Sequence, residues 1–197
     1  MRCWTLSVIC SRMNRRADPR VQRTRRALID AFIGSALDGD ASKLNVRELT
    51  RRAKVGRSTF YGHFEGLNEL VSESMGNIVT ILAAMPVGAV AGESVVQLLE
   101  HFWANRRLAR RMMSPPMRHL LFNALSSALE ERLQAYCRRR HMKPALPLNL
   151  AARYLADMEI SLLDSWLSGE HRSKIRLHAE ALRATAQAAA AALLGVR

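Results

Sequence analysis

The chain is short of the residues from which catalytic and metal sites are most often built. Its 197 residues hold three cysteines, at positions 3, 10 and 137. An odd, sparse set makes no disulfide framework and too few thiolates for a zinc site, and it suits a reducing, cytoplasmic setting. The six histidines, at 63, 101, 119, 141, 171 and 178, form no HExxH pair. There is no phosphate-cradling glycine loop and no G-x-S-x-G nucleophile elbow. These absences argue against an enzyme, and nothing in the sequence calls for a cofactor or a metal. No stretch reaches the roughly 18 continuous apolar residues that a membrane span needs. The opening MRCWTLSVIC has the outline of an export signal, but its apolar run is short and no small-residue cleavage site follows. Translation from Met13 is the other reading of this end, and residues 1–19 are taken as a disordered basic extension.

Acidic residues are also scarce. Seventeen Asp+Glu stand against 30 Lys+Arg, a formal net charge of +13. The excess is uneven: residues 1–64 carry 14 basic and 5 acidic side chains, whereas residues 65–197 carry 16 and 12. A basic end on a less charged body suits a polyanion binder, because each neutralised phosphate releases counterions. At 49% hydrophobic and 24% charged, the chain has enough apolar material to fold without staples.

What is present is helical periodicity. In 20–37, RVQRTRRALIDAFIGSAL, the residues Leu28, Ala31, Phe32, Ser35 and Ala36 fall on one face. Asp38-Gly39-Asp40 supplies a stop, with Gly39 suited to a left-handed cap. Asn45 followed by Glu48 is a capping-box pattern, in which Asn45 accepts backbone N–H bonds and Glu48 reaches back. Val46, Leu49 and Ala53 make the inward stripe of that helix and leave Arg47, Arg51, Arg52 and Lys54 outside. Lys54-Val55-Gly56 makes the next turn, with Gly56 expected to admit the tight backbone. From Arg57 the chain is helical again: Phe60 and Phe64 share the buried side, and Arg57, Ser58, Thr59, Tyr61, Gly62 and His63 occupy the rest. Two short helices across a tight turn, braced by a longer one, are a helix-turn-helix pattern, whose second helix enters the major groove.

On these residues the chain resembles the TetR family of bacterial transcriptional regulators. The resemblance covers about 24–71, and VRELTRRAKVGRSTFYGHF carries it. It implies an all-helical, cytoplasmic homodimer: an N-terminal helix-turn-helix domain, here 20–66, and a helical effector-binding and dimerisation domain, here 67–197. It also implies that a small molecule weakens operator binding, with repression the commoner outcome. Carried over, Asn45 caps the second helix and Arg47 lies near the DNA backbone. Arg57, Ser58 and Thr59 approach base edges or phosphates, Gly62 takes a base-reading position, and Tyr61 and His63 grip phosphates. The chain departs from the pattern at Gly56, where a capping serine is common, and at Asn45, where threonine is common. Leu67 replaces a lysine within reach of a phosphate, and Gly62 offers no reading side chain. The alternative kept beside this is a helical homodimeric ligand-binding or protein-interaction module whose DNA binding has weakened.

The remaining two thirds read as helices over 67–83, 93–113, 117–142, 149–168 and 171–194, broken at Met85-Pro86, Ser114-Pro115-Pro116 and Pro144/Pro147. Gly76 is read as either a bend or a tolerated glycine within that first helix, the second being preferred. The basic tail Arg138–Lys143 suits the negative end of a helix dipole. The last two helices, ending in ATAQAAAAALLG, allow close approach and suit a two-fold contact, so the homodimer is assigned to 149–194. Met85, Phe102, Trp103, Met112, Met113, Phe122, Met158 and Trp166 are the candidate wall of an effector cavity, since methionine and aromatic side chains line adaptable apolar sites. Few acids occur in these helices, so the expected effector is largely apolar.

Overall fold

The computed structural model describes residues 18–37, 45–115, 117–169 and 174–195, and the chain there is all-α. The N-terminal extension up to residue 17, the Asp38-Gly39-Asp40 stop, the following loop to Leu44, Pro116 and the start of the last expected helix at 171 lie outside the described residues.

An N-terminal three-helix segment comes first: α1 (Pro19–Leu37), α2 (Val46–Ala53) and α3 (Arg57–Tyr61). Pro19 opens α1 where its missing N–H costs nothing, and the Asp18 carboxylate accepts the Arg20 N–H at 2.8 Å. Leu28, Phe32 and Ser35 are buried as the periodicity requires, with Ala31 half-buried. Ala36 was the fifth inward position, and its side chain lies outside the description. Leu28 and Phe32 join Leu49, Phe60, Phe64 and Leu70 in the continuous core. Each such side chain contributes roughly 1.5–3 kcal/mol relative to exposure, which is what holds two helices too short to stand alone.

The rest of the chain is a longer helical bundle. The expected helix over 67–83 is in fact two, α4 (Leu67–Ser74) and α5 (Gly76–Ala84), broken at Met75 (φ −107°, ψ 12°). The Met75 N–H still closes on the Val71 carbonyl at 2.8 Å, and the buried Ser74 hydroxyl donates to the same carbonyl at 2.9 Å, so the break is a change of backbone angle at one residue that keeps this bond. Gly76 therefore opens a new helix instead of sitting inside one. The expected helix over 93–113 is likewise split into α6 (Gly92–Ala104) and α7 (Arg106–Met112) at Asn105 (φ −112°, ψ 33°). The Asn105 N–H keeps the His101 carbonyl at 3.1 Å, and its side-chain amide donates to the same carbonyl at 3.0 Å.

Three long helices complete the bundle: α8 (Met117–Arg139), α9 (Leu148–Ser168) and α10 (Ile175–Leu194). The inward positions Leu121, Leu125, Leu129 and Leu133 of α8 are buried, while Ala128 and Tyr136 are half-buried. Arg138 and Arg139 fall in its last turn, where a positive charge suits the helix dipole. α8 packs on α4, α5 and α9, and α10 packs on α6 and α9. Ala179, Ala186 and Ala190 are buried along α10, so the alanine run sets a close helix approach. Gly195 ends α10 at φ +74°, and a Cβ there would lie 3.0 Å from that of Ala145. Both conditions restrict this position to glycine. No helix of the described residues is long and apolar enough to cross a membrane.

Candidate nucleic-acid interface

The turn between α2 and α3 is built differently from the expectation. Asn45 caps α2 as foreseen, its Oδ1 accepting the Glu48 N–H at 2.9 Å. Glu48, however, does not turn back toward Asn45. Its carboxylate accepts from Arg51 Nε at 2.8 Å and Nη2 at 2.6 Å, and from Arg52 Nε at 2.8 Å. Two arginines one turn ahead outcompete a backbone amide for an ionised carboxylate. The Arg51 hydrogen bond, then that of Arg52, holds the Glu48 carboxyl down to about 2 and raises the Arg51 guanidinium. Part of the positive charge of α2 is thus neutralised internally, while Arg47 stays exposed and, among the described residues, without an acidic partner.

The left-handed residue of the turn is Lys54 (φ 54°), whose N–H closes on the Arg51 carbonyl at 3.3 Å. Gly56 is extended (φ −74°, ψ 155°), and a Cβ on it would meet Thr59 Oγ1 and Ser58 Oγ at ordinary contact distances of 3.5 and 3.6 Å. Gly56 is therefore not what permits the turn. A helix-ending αL position is common chemistry for glycine, and here a lysine carries its cost.

α3 is only five residues, followed by a turn that returns Phe64 to the core, with the Phe64 N–H on the Phe60 carbonyl at 2.8 Å. Phe60 and Phe64 are fully buried with ring centroids 5.7 Å apart, and the Tyr61 ring stands edge-on to Phe60 at 5.3 Å. The two phenylalanines present the other side of the helix outward: Arg57, Ser58, Tyr61 and Gly62 are exposed, and Thr59 and His63 are half-buried. Tyr61 keeps 55% of its surface accessible, a large value for an aromatic side chain beside the core. A Cβ on Gly62 would find only the Ser58 and Thr59 carbonyls at 3.5 Å, so the position is vacant by sequence and not by crowding.

One residue important to this geometry went unnoticed in the sequence. Arg25, in the basic start of α1, donates from Nε to Glu73 Oε1 at 3.0 Å, from Nη2 to Glu73 Oε2, and from Nη1 to the His63 carbonyl at 2.7 Å. Its guanidinium lies 4.4 Å from the centroid of the Phe64 ring, with a Glu69 oxygen at 4.0 Å. The Glu73 hydrogen bond raises the Arg25 guanidinium further. This fork ties α1, the turn after α3 and α4 together, with the bidentate geometry peculiar to arginine. Arg25 and Glu73 are 48 positions apart, and no local sequence signal links them.

The candidates for an effector wall belong to the core of the bundle or pack against it. Met85, Phe102, Met112 and Met113 are buried core, and Trp103, Phe122 and Met158 are half-buried. Trp103 and Trp166 meet at 5.4 Å between centroids, with Arg106 stacked over Trp103 at 4.5 Å. Arg106 also donates to the Leu167 carbonyl at 2.7 Å and to the Gly169 carbonyl, fastening α7 to the end of α9. Phe122 is covered by Arg153 at 4.9 Å. Trp166 lines a cavity of about 90 Å³ between α6, α9 and α10, together with Leu99, Leu163, His178 and Leu182. Glu159 was also passed over. It is completely buried on the inward stripe of α9, and burial pushes its carboxyl well up. Its spacing of four from both Leu155 and Leu163 was the available signal. Among the described residues, no three His, Cys, Asp or Glu come together as a metal site.

No protein-family model matches the chain, and no curated protein matches it. Solved structures do. A TetR transcriptional regulator from Streptococcus agalactiae is 24% identical, with a TM-score of 0.50 over 85% of this chain and 95% of that one. The TetR-family repressor FadR of Thermus thermophilus, solved with lauroyl-CoA, is 17% identical, with a TM-score of 0.48 over 85% and 93%. NalD of Pseudomonas aeruginosa, a repressor of a multidrug efflux pump, is 19% identical, with a TM-score of 0.47 over 85% and 96%. The S. agalactiae likeness is one of fold: the chain has the architecture of a TetR regulator.

Proposed function

We propose that the chain is a ligand-responsive, sequence-specific DNA-binding regulator, a repressor released from a palindromic operator by a small molecule. The observation that carries this reading is the outward face of α3. Arg57, Ser58 and Tyr61 project from a helix pinned on its other side by Phe60 and Phe64, in the most basic part of the chain. Arginine can read guanine bidentately, while Tyr61, His63 and Arg47 offer donors suited to phosphates that set register. The reader is 20–66 and the effector and dimer domain 67–197. One α3 reads one half-site, so a two-fold dimer is required to read an inverted repeat. Residues 149–194 suit that dimer, because Tyr154, Leu162 and Leu177 keep 53%, 40% and 58% of their surface accessible on α9 and α10.

Selection of bound duplexes from a random pool tests this reading, with an inverted repeat as the expected product. Recovery of no preferred sequence would sink it. Leu67 favours the second reading, a helical dimer with weakened DNA binding, because it packs half-buried against the core and offers no phosphate donor. That reading predicts duplex binding without sequence preference at any salt concentration.

A further inference from the structure

The short helix α7, RRLARRM, concentrates positive charge in a way its own packing does not require. Arg106, Arg107, Arg110 and Arg111, with Ser114 just beyond the helix, line an open hollow of about 630 Å³. Arg106 is half-buried and held by neutral groups: Nε donates to the Leu167 carbonyl at 2.7 Å and Nη2 to the Gly169 carbonyl, and the guanidinium lies over the Trp103 ring. Arg107, Arg110 and Arg111 are exposed and, among the described residues, have no acidic partner. Arg118 and Arg176 of the same bundle are matched instead, meeting Asp157 at 3.2 Å and Glu93 at 3.1 Å. Side chains four apart are neighbours on a helix, so 106/110 and 107/111 repel, and 107/110 at three apart adds to this. Arg106 and Arg107 also open the helix, where its dipole disfavours a cation, whereas Arg138 and Arg139 close α8, where it favours one. Breaks of a local rule in a folded chain concentrate at functional sites.

We propose that this hollow is a binding site for a small polyphosphate, an ester or anhydride that carries two or more adjacent phosphate groups. The planar guanidinium fork pairs with phosphate oxygens two at a time, and four forks without a carboxylate suit a ligand of high negative charge. Arg106, fixed by its carbonyl bonds and the Trp103 ring, is the preorganised corner of the site. Arg107, Arg110 and Arg111 close on the ligand from the same helix, and the ligand offsets their mutual repulsion. The volume falls within the range of about 300–1,000 Å³ usual for small-molecule sites, which leaves room for an organic body beside the phosphates. The hollow shares no lining residue with the cavity beside Trp166 or with the outward face of α3. Its position has a consequence, because α7 packs on α1, the brace of the reader, as well as on α9. A polyphosphate held on α7 therefore changes duplex affinity, and this second step rests on the regulator reading.

The test is calorimetric titration of the full-length protein with tripolyphosphate and with orthophosphate at matched ionic strength. The wild type is expected to bind tripolyphosphate at least tenfold more tightly than orthophosphate. Arg107→Gln/Arg110→Gln/Arg111→Gln should weaken tripolyphosphate binding at least tenfold; all three positions are exposed, so the fold should persist, as circular dichroism checks. Arg138→Gln/Arg139→Gln/Lys143→Gln removes the same charge from another exposed stretch and should change the affinity less than threefold. No binding of tripolyphosphate, full binding by the α7 variant, or equal losses in the two variants, which would mean attraction to net charge alone, would overturn the proposal. The coupling is read from affinity for the selected duplex with and without tripolyphosphate. It should change at least threefold in the wild type and not in the α7 variant. An equal change in both proteins is competition at the α3 face and removes the coupling. Selection of no duplex removes the regulator reading and the coupling with it, and leaves the site to the calorimetry.

Discussion

Two glutamates on two helices show how differently the ends of this molecule treat charge. Glu48 lies at the surface of α2 and is satisfied by Arg51 and Arg52 at 2.6–2.8 Å, which hold its carboxyl down to about 2. Glu159 lies inside α9 with no partner for either oxygen, and burial drives its carboxyl well up. The first is ordinary surface electrostatics, and its contribution to stability is small. The second is a cost that the fold carries without an internal return. The N-terminal segment therefore puts its polar chemistry outside, on a thin framework of phenylalanines, whereas the bundle also hides a carboxyl in its core.

The most severe way to break this division is at the framework. Phe60→Ala removes a fully buried ring from the smallest packed unit and is expected to cost about 3–5 kcal/mol. Chemical denaturation followed by far-ultraviolet circular dichroism measures it, and duplex binding should be lost while the bundle keeps its helicity. Next in size is the opposite change in the bundle. Glu159→Met should stabilise the ligand-free protein by about 1–4 kcal/mol at neutral pH. The sign of its pH dependence follows from linkage. The folded carboxyl keeps its proton above the ordinary value of 4.5, where the unfolded chain releases it, so wild-type stability falls as pH rises from there. Glu159→Met should remove that fall, as read from thermal midpoints between pH 4.5 and 8. Glu48 acts in the reverse sense: its small contribution is present above 4.5 and is lost as pH falls from there through about 2.

Arg25 sits where the two regions meet. Arg25→Ala removes the fork to Glu73 and the bond to the His63 carbonyl, for an expected loss of about 1.5–3 kcal/mol. A double-mutant cycle with Glu73→Gln measures the share carried by the ion pair. Near-additive losses would mean that α1 and α4 are not coupled through it. The smallest effect is expected at the α3 cap. Gly56 is extended with room for a side chain, so Gly56→Ser should gain a few tenths of a kcal/mol, seen as a slight rise in thermal midpoint.

The helices and the helix-turn-helix were legible because they rest on local signals: apolar spacing in α1, the Asn45 cap, and the four-residue interval between Phe60 and Phe64. The breaks at Met75 and Asn105 were not, because each is a single residue of non-helical backbone that leaves the hydrophobic period intact. The turn was placed correctly but credited to Gly56, since glycine is the usual αL residue and Lys54 occupies that conformation instead. Arg25–Glu73 was invisible because its partners are distant in sequence. Glu159 was visible in the heptad-like stripe of α9, but a charged residue is read as outward unless the period is followed strictly.

The central claim is that the outward face of α3 reads DNA. Its most direct test compares the wild type with Tyr61→Phe/His63→Ala for affinity to the selected duplex and to a scrambled one across a salt series. The account predicts a wild-type preference for the selected duplex and a steep fall in affinity with salt. In the double variant it predicts at least a tenfold loss with the dimer intact. Equal affinity of both proteins for both duplexes would contradict it.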